Sequence, residues 1–330
     1  MNIEEELKKE IRNMGENKKR FEDVKEFDEA VKMIKNKERV NDLESLFLLW
    51  KRAHVLEVEE WEHDNKANIK TRDKEKQRKI PNTVPEAFLN EENVPKEDLE
   101  EAMKYSFCGD GYIGTSEGAE EPSSNEKTSS GEQNKFTRFL ILKEENNIQK
   151  RTDWEKREGL KPYNTYYGDW AYDNRGGLKD DRGRATTSTA AKTAEIVRFI
   201  ASKEKGKFDW KTRNKGAEES RMEEIKKVAI INLNKRGGSA SADEAALVAY
   251  AERYKKFILR EIELLAVEGS VQLEFVVFGK DEGEYFKEMK NMLKEKFCKI
   301  YNLPHPSRVS YKEVARRWKK SEERVLKELQ

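Results

Sequence analysis

Cysteine and histidine are nearly missing from this chain: two and three among 330 residues. Cys108 and Cys298 are too few for a disulfide framework, or for the four thiolates of an iron–sulfur cluster. His305 has no His or Cys at ligand spacing, so no metal site is expected there. No apolar run approaches the ~18 residues of a membrane span. The opening MNIEEELKKE is acidic and lacks the apolar core of a secretory signal. A Gly-rich phosphate fingerprint is missing too, since GDGYIG at 109–114 follows no strand pattern and opens no helix. The expectation is a cytoplasmic protein with reduced thiols, off the membrane and without metal or organic cofactor.

What the chain has in abundance is charge. Asp, Glu, Lys and Arg make up 40% of it, 66 basic against 65 acidic, for a net charge of +1. A nucleic-acid groove needs only local positive potential, so this balance excludes no such partner.

Composition divides the chain into three regions. Residues 1–104 are Lys/Glu-rich and mainly helical; the best element is DLESLFLLWKRAHVLEVEEW, 42–61, with Asp42 as its N-cap and His54 on or near its apolar stripe. Pro81, Pro85 and Pro95 break the remainder of that region into short pieces. Residues 105–136, rich in Gly, Ser, Glu and Asn, read as a linker or long loop. Residues 137–330 form the third region.

There the pattern changes. FTRFLILKEEN (136–146), IKKVAIINLNK (225–235), VQLEFVVFGKD (271–281) and FCKIYNLP (297–304) each carry an apolar core of strand length. Helical patterns alternate with them; the one after the second strand has Ser241 or Asp243 available as N-cap. Continuous apolar strands alternating with helices predict an α/β fold, a three-layer sandwich around a four-stranded parallel sheet. Ligands of such folds bind beyond the carboxyl ends of the strands.

The strand ends carry Glu144, Glu145 and Asn146; Asn232, Lys235 and Arg236; and Pro304-His305-Pro306. An amide presents both donor and acceptor to a base edge. A carboxylate orients water or stabilises a cation at a sugar carbon. An imidazole on a proline-stiffened loop donates to a leaving anion, and does so best when neutral.

The ordered set LKEEN, INLNK, HPS resembles the uracil-DNA glycosylase superfamily over roughly residues 137–310. The resemblance implies a monofunctional DNA glycosylase that flips a base and hydrolyses its N-glycosidic bond. It gives Glu144, with Glu145 or Asn146 a slip away, the water-positioning place, Asn232 the base-reading place, and His305 the leaving-group place. Lys235, Arg236, Ser239, Ser307 and Arg308 are the expected DNA contacts. The first motif departs from the family in lacking its glycine and proline. This departure and the large N-terminal region raise a modified phage base, with a role in defence, beside uracil as the target.

PYNTYYGDWAYDNRGG, 162–177, gathers aromatic rings without period; Tyr163, Tyr167 and Trp170 are candidates to stack on a flipped base, or pack their own loop. Two other functions fit the same residues: a nucleic-acid-binding module of this fold without catalysis, and another nucleotide-processing α/β enzyme.

Overall fold

A computed structural model describes residues 19–36, 39–69, 80–90, 96–105, 136–146, 189–202, 228–238, 243–266, 272–280, 283–294, 298–306 and 309–329, with residues 94, 107, 205 and 208. The chain divides into two compact units that interleave in sequence. One is drawn from Met1–Gly109, Glu144–Tyr163 and Asn234–Leu264, the other from Asp110–Lys143, Asn164–Leu233 and Leu265–Gln330.

Most of the sheet lies in the second unit, while the strand ends 144–146 and 234–238 belong to the first. Strands β1 (Phe136–Asn146), β2 (Ala229–Gly238), β3 (Gln272–Phe278) and β4 (Cys298–Leu303) run parallel in the order β2-β1-β3-β4. This is the α/β architecture the alternating pattern predicts. Phe136 pairs with Gln272 and Ile141 with Val277, while Leu273 pairs with Cys298 and Phe278 with Leu303. Arg138 and Glu274 stand opposite each other and form a buried ion pair. A slip of one residue would separate them and turn every apolar side chain to the wrong face.

On one face Leu140, Val276, Phe278, Tyr301 and Leu303 meet Ile196, Phe199 and Ile200 of helix α4 (Thr189–Ala201). The same cluster takes in Val314, Trp318 and Val325 of helix α8 (Tyr311–Leu329). Each such side chain contributes about 1.5–3 kcal/mol on burial. Phe139, Ile141, Phe275 and Val277 point the other way by strand alternation and are equally buried. Both faces are therefore covered, which is why the strands are apolar throughout rather than alternating. Helix α7 (Glu284–Leu293) adds Tyr285, Phe286, Met289 and Met292 to the buried set.

The first unit is helical: α1 (Phe27–Lys35), α2 (Leu43–Ile69), α3 (Leu99–Tyr105), α5 (Glu244–Arg253) and α6 (Lys255–Leu265). Asp42 caps α2, its Oδ1 accepting from the Ser45 N–H at 2.7 Å. Of the two candidate caps for α5 it is Asp243 that accepts, from the N–H groups of Ala245 and Ala246. The single long helix expected after β2 is interrupted at Tyr254, whose φ of −101° and ψ of 15° separate α5 from α6.

Residues 244–264, with 144–163 and 234–243, thus share a unit with the N-terminal helices rather than with the remainder of 137–330. The reason is aromatic. Tyr250, Tyr254 and Phe257 lie against Trp50 with ring centroids 6.4, 6.2 and 5.3 Å away. Phe27 meets Tyr254 edge-on at 5.5 Å. Among the described residues no helix is long and apolar enough to cross a membrane.

Candidate functional site

The strand order places a switch point between β1 and β3, because the chain passes from β1 to one side and then returns to the other. Doubly wound sheets receive ligands in the crevice beyond the carboxyl ends at such a point. Asn232 lies in β2 and His305 follows β4, the two outer strands of the sheet, while β1 and β3 border the switch point itself. Three inter-strand gaps separate β2 from β4, roughly 14 Å.

His305 comes two residues after the end of β4 and is half-buried, with Pro306 buried beside it. Pro304 fixes its own φ, and Pro306 restricts the histidine before it. Leu303, the last residue of β4, accepts from the Gly279 N–H at 2.8 Å. Beyond the loop, Lys192 Nζ of α4 donates to the Val309 carbonyl at 3.4 Å. Ser310 then caps α8, its Oγ accepting from the Glu313 N–H at 3.3 Å.

Asn232 is 1% exposed, but it does not end its strand as expected. It is the fourth residue of ten, and β2 continues through Gly238. The continuation is possible because the polar residues after it find buried partners. Asn234 Oδ1 accepts from the Arg236 N–H at 2.9 Å. Lys235 and Arg236 are enclosed entirely within the helical unit.

Lys235 Nζ lies 3.0 Å from Glu261 Oε1 and 5.1 Å from the centre of the Trp50 ring. Arg236 donates through Nη2 to Glu57 Oε2 at 2.5 Å and through Nη1 to the Met103 carbonyl at 2.5 Å. The Tyr254 hydroxyl also donates to Glu57 Oε2, at 2.7 Å. His54 Nε2 and Tyr250 Oη share a hydrogen bond of 2.7 Å. Burial, reinforced by the charges of Arg236, Lys235 and Lys51, holds His54 well below the usual histidine range. Burial also raises the Tyr254 phenol, with Glu57 adding to it.

These placements correct the role expected of Lys235 and Arg236. Neither side chain reaches solvent, and each has its charge balanced by a buried glutamate, so neither grips a phosphate. Among the described residues, an open cleft of the same unit, about 850 Å³, is lined by Glu57, Glu60, Asp64 and Glu252, with Arg253 the one cation.

Glu144, Glu145 and Asn146 form the last three residues of β1; their side chains lie outside the described residues. So do Ser239, Ser307, Arg308 and the candidate stacking rings Tyr163, Tyr167 and Trp170. Burial pushes the Cys298 thiol up to about 11, which leaves it unreactive at neutral pH.

One residue beside the histidine loop is not singled out by the sequence patterns. Asn302 interrupts the apolar run of CKIYNL and is 2% exposed. Its Nδ2 donates to the carbonyls of Val277 at 3.3 Å and Lys280 at 3.5 Å. Its Oδ1 accepts from Arg317 Nη2 of α8 at 2.9 Å. A polar residue within an apolar strand is the signal that could have found it.

No protein-family model, curated protein or solved structure matches the chain.

Proposed function

We propose that the chain is a monofunctional DNA glycosylase of the uracil-DNA glycosylase type. The observation that carries this reading is the position of His305. It sits between two prolines at the carboxyl end of β4, in a four-stranded parallel sheet whose far edge strand holds the buried Asn232. The order of the three sequence motifs supports the same assignment.

In this mechanism the duplex is held by its phosphates and the target nucleotide rotates out of the stack. Lys312, Arg316, Lys319 and Lys320 are exposed on α8, the helix after the histidine loop, and suit the phosphate contacts. By the resemblance Asn232 hydrogen-bonds the Watson–Crick edge of the extruded base, which requires this side chain, buried in β2, to be uncovered. As the N-glycosidic bond stretches, its electron pair leaves with the base and positive charge gathers on the deoxyribose. Glu144 or Glu145 stabilises that charge and places the water whose oxygen bonds to the sugar carbon. His305 donates a hydrogen bond to the departing anionic base. Water supplies the proton that neutralises it, and an abasic site remains. Uracil is the first target to test, followed by modified bases of phage DNA; the latter would make the protein a defence enzyme.

The experiment is a base-release assay with the full chain on uracil-containing and hypermodified duplexes, scored by alkali cleavage at abasic sites. Release from one of them is the expected result. Tight duplex binding with no release from any would replace the enzyme by a binding module of the same fold.

A further inference from the structure

We infer that Asn302 is a positioning residue for His305; the catalytic consequence rests on the glycosylase reading, whereas the physical coupling does not. Asn302 joins three segments at the carboxyl edge of the sheet. Its two amide protons are directed at the end of β3, on the Val277 and Lys280 carbonyls, and its oxygen receives Arg317 from α8. Its backbone N–H, at the sheet edge, donates to Ser321 Oγ at 2.7 Å. The same Arg317 Nη2 reaches the Gly279 carbonyl at 3.3 Å, so the clamp closes on both sides of the β3 turn.

Only an amide serves here. A carboxylate would accept from Arg317 but could not donate to the two carbonyls. An aliphatic side chain would neither donate to the two carbonyls nor accept from Arg317, and would cut the link between the β3 turn, β4 and α8.

Two residues separate the clamp from the histidine, and neither offers a hinge. Leu303 is fully buried and held by the Gly279 N–H. Pro304 has a fixed φ, and Pro306 confines His305 from the other side. The far end of the loop is tied at Val309 and Ser310. The imidazole therefore takes its place from Asn302. A donor displaced by about 1 Å loses on the order of a hundredfold in rate.

The chain has only three histidines, so its imidazole resonances can be assigned by replacing each in turn. In the full-length protein, Asn302→Ala is expected to shift and broaden the His305 ring signal while those of His54 and His63 stay in place. Asn302→Asp, which retains the Arg317 contact, serves the same measurement if the alanine variant does not fold. An unmoved His305 signal in a folded variant overturns the coupling. On a substrate that the wild type processes, Asn302→Ala should lower kcat by about 10- to 100-fold with KM within about twofold. It should lower kcat no further in a His305→Ala background. Independent, multiplying losses overturn the positioning role. A wild type that releases no base removes the glycosylase reading alone, and the resonance experiment still decides whether Asn302 places His305.

Discussion

Lys235 Nζ and Glu261 Oε1 lie 3.0 Å apart, and neither side chain reaches solvent. Removing one partner of such a pair strands the other charge in the interior, which costs about 3–5 kcal/mol. Lys235→Met is accordingly expected to lower stability by that amount in a urea titration followed by circular dichroism. The double variant Lys235→Met, Glu261→Leu should recover most of the loss, because two apolar groups leave no charge unpaired. A double variant as unstable as the single one would show that the pair is not balanced as described.

His54 gives the helical unit an acid sensitivity. In the unfolded chain this histidine takes a proton near its ordinary value of 6.5, whereas in the folded chain it stays neutral to much lower pH. Below about pH 6.5 the unfolded state thus binds one more proton, and stability falls as pH falls, by up to about 1.4 kcal/mol per unit. His54→Gln should flatten the stability profile by that slope between neutral pH and about pH 5. A variant with the wild-type slope would assign the sensitivity to other groups.

For the proposed reaction, His305→Ala should slow base release by about 10²–10³-fold, the range for loss of one hydrogen bond to a developing anion. Duplex affinity should change little. Of Glu144→Ala and Glu145→Ala, one should produce a loss of about 10²–10⁴-fold and the other a minor one, which would name the carboxylate that places water. Single-turnover rates at saturating enzyme are the measurement. Full activity in His305→Ala would move the active site elsewhere.

Lys312 and Lys319 are both exposed and lie two turns apart on α8. If each neutralises a phosphate, the pair of alanine substitutions should weaken binding equally for all sequences. The slope of log K against log salt should fall in magnitude by about 0.9 per lysine removed. An unchanged slope would leave this face to solvent.

The strands and helices were legible where the apolar period was long. All four sheet strands and the helices after them lie where the runs of Val, Ile, Leu and Phe place them, shifted by a few residues at their ends, except that the helix after β2 is split at Tyr254. The burial of His54 also agrees with its position on the Trp50 stripe. What could not be read was the continuation of β2 past Asn232. Lys and Arg are solvated unless a counter-charge meets them inside. Here the counter-charges are Glu57 and Glu261, one of them 179 residues from its partner. Asn302 was missed for the same reason: its meaning lies in three carbonyl and guanidinium groups contributed by two other elements.

The bond from the Asn302 N–H to Ser321 Oγ has a consequence for solubility. β4 is the outermost strand on its side, and a bare strand there would offer its backbone groups to any extended polypeptide. With Ser321 of α8 bonded to the Asn302 N–H, that template is blocked at this residue. A chain cut before Tyr311 would free this group and should self-associate through strand-to-strand pairing, which would make α8 the element that keeps copies of this protein apart.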